Sequence, residues 1–287
     1  MDEVFHRSPA DGGGPVIKLR MLRWNLQYIT VLMVLSAIAI GVVFGLPMTL
    51  LGLPAVALVL LQIDGITRPG SQLFYPAITH GSRSSGLVAL TFDDGPDPKV
   101  TPEILRLLRE HRAHATFFVI GKWLDAHPEL GRLIVEQGHV LANHSWSHSR
   151  LQNFYLNRKH AFEIEKCQQL IHKLGGVSPV MFRPPIGLKS CELAKAAYRQ
   201  NVILVAWSLH SRDSRLRSPE KIANRVLERI RAGDIVLLHD GHDLPGRHRR
   251  HCVQALRLIL QGLQDKGLRC TTVPDLLRIQ GADVAGR

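Results

Sequence analysis

The sequence predicts an α/β fold, a distorted β/α barrel of about seven strands, preceded by an N-terminal membrane segment. Three observations carry that reading. Short apolar runs alternate with amphipathic helical patterns through the last two thirds of the chain, the residues richest in chemistry stand at the downstream ends of those runs, and residues 24–63 contain no charged residue. Alternation alone fits an open doubly wound sheet equally well. Placement decides for the barrel, because barrel enzymes gather their sites at the C-terminal ends of the strands.

Residues 1–23 begin rich in Gly, Asp and Pro and read as a disordered cytoplasmic tail, with Lys18, Arg20 and Arg23 favouring that side. Residues 24–63 read as the membrane-embedded segment. Their 40 residues are about twice the roughly 20 that one span needs, too many for a buried core helix or a cleaved signal peptide. Gly45-Leu46-Pro47 and Gly52-Leu53-Pro54 interrupt the stretch. It is therefore either a hairpin or one span over 27–46 with an interfacial segment behind it, and the shortness of the part after Pro47 favours the single span. One crossing puts the following domain outside the cytoplasm; a hairpin returns it. Residues 64–85 form the linker, and 86–280 the barrel domain.

Strands are predicted at 86–92, 115–120, 139–142, 180–182, 202–206, 234–238 and 268–273. Helices are predicted at 101–112, 128–137, 157–174, 191–200, 219–231 and 249–266. The formal charge is +12, of which +11 lies beyond residue 63. A basic surface beside a membrane suits anionic lipid or an acidic glycopolymer. Nucleic acid is not expected, since the arginines are dispersed and no binding motif accompanies them. The densest run, Arg247-His248-Arg249-Arg250-His251, reads as a solvated helix start. Cys167, Cys191, Cys252 and Cys270 lack C-x-x-C spacing, which argues against a metal knuckle and leaves a disulfide between two of them open.

The chemistry starts at Thr91-Phe92-Asp93-Asp94-Gly95-Pro96, where an apolar run meets a turn carrying two adjacent carboxylates. Such a pair at a buried strand end calls for a cation on one member and a separate protonation role for the other. Further ligands stand in Asn143-His144-Ser145-Trp146-Ser147-His148, where a helical turn would project both imidazoles from one face. With Asp94 they make a His/His/Asp set that leaves a tetrahedral divalent ion one open position, as in catalytic zinc. Arg183-Pro184-Pro185-Ile186 is stiff and donor-poor, so the Ile186 amide is the first backbone donor after Arg183 available to an oxyanion. His239 ends a β-prone run and is suited to donate a proton near neutral pH.

Together these motifs resemble the polysaccharide deacetylases of the NodB-homology type, carbohydrate esterase family 4, over residues 86–277. The resemblance implies Asp93 as catalytic base, Asp94, His144 and His148 as metal ligands, Arg183 as the side chain orienting the base, His239 as general acid and Asp213 as the carboxylate tuning it. The fourth motif departs from the family pattern. Ser214 follows Asp213 where a tryptophan is usual, and Ile186 stands where an aromatic is common. The expected function is metal-dependent N-deacetylation of an acetylamino-sugar glycan such as peptidoglycan or another cell-envelope polysaccharide. Zinc is the expected ion, with cobalt or another divalent ion as alternatives. A deformylase or deacetylase of a lipid-linked sugar is the runner-up, and a non-catalytic, membrane-anchored glycan-binding protein is the reading from another class. The expected partners are the glycan and membrane lipid; the sequence indicates no oligomeric state.

Overall fold

The computed structural model describes residues 15–45, 48–73, 75–175, 181–244 and 246–277. Two helices open it, α1 (Pro15–Phe44) and α2 (Met48–Thr67). They lean on one another, with Gln62 Nε2 donating to Thr30 Oγ1 across 2.8 Å in a buried bond. A sheet of nine strands follows among the described residues: β1 (Ala77–Ile78), β2 (Leu87–Asp93), β3 (Thr116–Val119), β4 (Val140–Asn143), β5 (Met181–Phe182), β6 (Ile203–Val205), β7 (Leu209–His210), β8 (Ile235–His239) and β9 (Arg269–Thr271). The ladders are parallel and run in the order β1-β6-β5-β4-β3-β2-β8-β7, with β9 added along the start of β2. β1 and β7 are its ends, so the barrel is a curled half-barrel rather than a closed one.

Seven helices connect the strands: α3 (Thr101–Glu110), α4 (Gly121–Ala126), α5 (Pro128–Glu136), α6 (Asn157–Lys173), α7 (Cys191–Arg199), α8 (Pro219–Leu227) and α9 (Arg250–Asp265). Their starts follow from the sequence. Proline occupies the first turn of α3, α5 and α8, where its missing N–H would have no helical partner. Ser190 and Ser218 cap α7 and α8 by accepting from Leu193 N and Lys221 N.

Burial parity along β2 sets up the site. Val88, Leu90 and Phe92 join the core beneath the helices, with Ile104 and Leu256 among its members. Leu87 and Ala89 face the other way and pack with Phe118, Met181, Val205 and Ile235 inside the curl. Because strand side chains alternate, Thr91 and Asp93 continue the inward row. The barrel interior thus turns from apolar to polar at its C-terminal mouth.

The structure changes several expected boundaries. The linker contributes a strand, since β1 pairs with β6 in register Ala77 to Leu204; a two-residue strand is too short to show period 2. The helix α4 and the strand β7 are short for the same reason and gave no periodic signal. The tail reading gives way at Pro15, where α1 begins, while residues 1–14 lie outside the described residues. No helix among the described residues is long and apolar enough to cross a membrane, so the spanning segment is unsupported. Cys167, Cys191, Cys252 and Cys270 are not joined by disulfides.

Two loops touch backbone to backbone at the mouth. A Cβ on Gly241 would collide with the Asp94 carbonyl, and one on Gly95 with the Asp240 carboxylate. Neither neighbour at Gly241 is a flexible side chain. Gly241→Ala is expected to destabilise by roughly 1–3 kcal/mol, as overpacking does, read as a lowered urea midpoint in far-UV circular dichroism; an unchanged midpoint contradicts the close approach.

Candidate active site

Adjacent residues of a strand point to opposite faces, so Asp93 and Asp94 would be separated if β2 simply continued. It does not. Asp94 adopts a left-handed backbone, φ 73°, open to aspartate at modest cost. The reversal brings its carboxylate round beside that of Asp93, and both are buried.

Asp94 Oδ1 lies 3.2 Å from His148 Nε2 and 3.5 Å from His144 Nε2. One ligand atom from each of the three residues falls within 4.8 Å of the others. The donor set fits a divalent cation. Asp94 Oδ1 is buried with no hydrogen-bond partner, which a carboxylate tolerates poorly without a charge to meet. His144 Nδ1 donates to the Arg183 carbonyl across 2.7 Å, fixing the tautomer that leaves Nε2 as a lone pair toward the cation. Burial, followed by the charge of His144, lowers His148 to about 4, so it is neutral at pH 7 as a ligand must be. Burial alone would raise Asp94, but the His144 contact and the His239 and His148 charges hold it well below the usual carboxylate range.

The helical turn expected for 144–148 is absent; the segment is a loop. Ser145 and His148 take left-handed backbones, φ 69° and 51°, and side chains stabilise the turn. Asn143 Oδ1 accepts from Ser145 N, Ser145 Oγ from His148 N, and Glu163 from Ser147. Local side-chain bonds of this kind compete successfully with helix.

Arg183 follows β5 and is fully buried. Its Nη1 donates to Asp93 Oδ1 at 2.6 Å and to Thr91 Oγ1 at 2.8 Å, Nε to the Val205 carbonyl and Nη2 to that of Ala206. The guanidinium also lies over the Phe118 ring, 4.0 Å from its centroid. Asp93 is left with Oδ2 uncommitted to the arginine, 3.8 Å from His144 Nε2.

His239 closes β8 and is the register partner of Asp93 on β2, so the two side chains share a face. Asp213 Oδ1 accepts from His239 Nδ1 at 2.8 Å and from Ser211 Oγ; its Oδ2 accepts from the His239 amide and from Cys252 Sγ. Burial lowers the affinity of His239 for a proton, yet the Asp213 carboxylate outweighs it and holds the imidazole up at about 9. Burial of Asp213 is likewise overridden by His239, leaving that carboxyl well below its ordinary range.

All eight residues singled out in the sequence lie around this mouth. Ile186 has φ 59°, a rare conformation for a β-branched residue, and is half exposed. Further residues support the site. Ser211, two residues before Asp213, is buried against it. His210 stands 6.3 Å from His239 ring to ring. Cys252 has no sequence signal at all. The basic run read as solvated is the clearest correction: Arg249 is buried, its Nε donates to the Gly241 carbonyl, and its Nη2 lies 3.6 Å from Asp94 Oδ2. His248 meets Asp97, and His251 donates to the Asp213 carbonyl. These basic groups find buried acceptors that only the folded chain supplies.

Residues 80–203 match the family described as polysaccharide deacetylase. A peptidoglycan-N-acetylglucosamine deacetylase of Bacillus cereus is 38% identical over 202 residues, covering 67% of this chain and 88% of the relative. A chitooligosaccharide deacetylase of a Bradyrhizobium strain is 35% identical, covering 68% and 91%. Among solved structures, the peptidoglycan deacetylase PdaC of Bacillus subtilis superposes with a TM-score of 0.64 at 30% identity, over 71% of this chain and 96% of that one. With its half-barrel and its Asp94, His144 and His148 cluster, this chain belongs to the polysaccharide deacetylase family, carbohydrate esterase family 4, and is a hydrolase, a carbohydrate deacetylase.

Proposed function

We propose that the protein hydrolyses the N-acetyl amide of acetylamino-sugar units in peptidoglycan or a related envelope glycan, with zinc as its ion. One observation carries the reading. The Asp94, His144 and His148 cluster lies between a carboxylate anchored by Arg183 and an imidazole kept protonated by the Asp213 carboxylate. The names of the relatives, peptidoglycan and chitooligosaccharide deacetylases, support the substrate class.

A divalent cation on those three ligands supplies Lewis-acid polarisation of the carbonyl and acidifies an attacking water. Arg183 occupies Asp93 Oδ1, so Oδ2 is the atom that takes the proton from that water. Attack forms the new C–O bond at the amide carbon. Asp213 holds His239 Nδ1, so Nε2 carries the proton delivered to the nitrogen as the C–N bond breaks. Acetate and a free amine result. The Ile186 amide is the proposed backbone donor to the oxyanion.

Acetate release from chitooligosaccharides and peptidoglycan by the zinc-loaded chain tests the proposal directly; no release from either substrate class rejects it. His144→Ala is expected to lose bound metal and turnover together while keeping its far-UV spectrum, measured by elemental analysis beside the acetate assay. Asp93→Asn and His239→Ala should each slow turnover about 10²–10⁴-fold; wild-type rates in either variant contradict the assigned roles.

The alkaline limb of the rate should report His239. Its value stands near 9 partly through Asp94, and a bound cation cancels that share. The limb is expected below about 9 but above the ordinary histidine value of about 6.5, and Asp213→Asn should move it toward the latter. A pH profile of kcat/KM measures both. The stability linkage has the same sign: a raised folded value stabilises fully below about 6.5 and is lost as pH rises through about 9.

A further inference from the structure

The loop downstream of His148 is apolar and exposed. Leu151, Phe154, Leu156 and Phe162 all face solvent, Phe154 at 84% of its full accessibility. Exposed apolar residues standing singly need no explanation, but a contiguous group does. This group is contiguous with two larger features. On one side Gln152 Nε2 donates to the Pro185 carbonyl at 2.6 Å, next to exposed Ile186 at the mouth of the site. On the other, Glu192 accepts from the Asn157 amide and from Tyr28 Oη of α1. From Tyr28 outward α1 and α2 expose further large side chains, including Val31, Leu35, Val42, Leu53 and Leu60.

Charge tells what covers this strip. Residues 150–166 hold four exposed basic side chains, Arg150, which pairs with Asp243, and Arg158, Lys159 and Lys166, against a single exposed acid, Glu165. Lys159 Nζ lies 3.7 Å from the centroid of the Tyr155 ring, and Lys166 Nζ 3.7 Å from that of Trp146. Aliphatic and aromatic groups interleaved with cations match a lipid interface, where the rings settle at headgroup level and the cations meet anionic lipid. The core of an interface with a second copy would instead be depleted in lysine.

We propose that residues 150–166 form a lipid-contacting rim which, with the α1 and α2 pair, seats the protein on an anionic lipid surface and turns the mouth of the site toward it. The glycan would then be taken from chains held at that surface, a consequence that rests on the deacetylase reading. The lipid contact itself rests on the surface chemistry alone.

The full chain carrying Phe154→Cys, labelled with an environment-sensitive fluorophore, tests the contact on vesicles of phosphatidylglycerol and phosphatidylcholine containing doxyl-labelled lipid. Glu228→Cys on the far end of α8 and the unsubstituted chain are labelled in parallel. A blue shift with doxyl quenching at 154, absent at 228 and weakened when phosphatidylglycerol is omitted, supports the rim. Emission at 154 like that at 228 overturns it. So does a blue shift without doxyl quenching that grows with protein concentration, the signature of a second copy. Acetate release from soluble chitooligosaccharide is measured on the same samples. Turnover without quenching sinks the rim alone, and quenching without turnover sinks the deacetylase reading alone. The double variant Phe154→Ser, Leu156→Ser should keep soluble turnover within about twofold and lose about tenfold or more on a glycan tethered to vesicle lipid; equal losses on both substrates overturn the rim.

Discussion

The buried ion pair between Arg183 and Asp93 is the constraint on which the site depends. Moving a guanidinium and a carboxylate out of water costs several kcal/mol per ion, and their attraction offsets this only when every remaining donor is matched. Here the guanidinium spends its donors on Asp93, Thr91 and the carbonyls of Val205 and Ala206, with Phe118 beneath its face. Those partners come from β2, from β6 and its end, and from β3, while Arg183 itself follows β5. One side chain therefore fixes how four strands curl at the mouth. The carbonyl of the same residue accepts from His144, so the proposed base and one proposed metal ligand are oriented through one position.

Much of this was legible in the sequence because it depends on short contiguous patterns. Thr91 to Pro96 announces a buried strand ending in charge, and the two-residue period of β2 assigns Asp93 to the inner face. The sequence could not show that Asp94 joins it, since that follows from a left-handed backbone at a single residue. The spacing of His144 and His148 suggested a helix, whereas a loop held by Asn143, Ser145 and Glu163 achieves the same convergence. Arg249 and Cys252 were illegible for another reason. Their partners, Gly241, Asp94 and Asp213, are brought near only when α9 packs beside the ends of β7 and β8, and no local pattern encodes such a meeting.

The two proton-handling groups are separated electrostatically by their second partners. Asp93 meets the Arg183 guanidinium through Oδ1, which leaves Oδ2 to accept. His239 faces an aspartate kept anionic by four donors, and so it keeps its proton near neutrality. His148, equally buried but beside another histidine, is driven the other way. Two imidazoles within one pocket thus hold different protonation states at one pH, which is the condition for the proposed acid and the proposed ligand to act together.

The parts of the site differ in what holds them. Asp93 and His239 lie on paired strands, each flanked on both sides in the sheet, and inherit its rigidity. His148 and Ile186 lie on loops, both with left-handed backbones stabilised by side chains such as Ser145 and Gln152. Strain in such positions persists only while its surroundings over-determine it. Changes among the loop supports are therefore expected to reach metal affinity and the proposed oxyanion donor before they reach the proposed acid and base, which the sheet protects. The same loops carry the apolar rim, so whatever surface the rim contacts acts first on the adaptable half of the site.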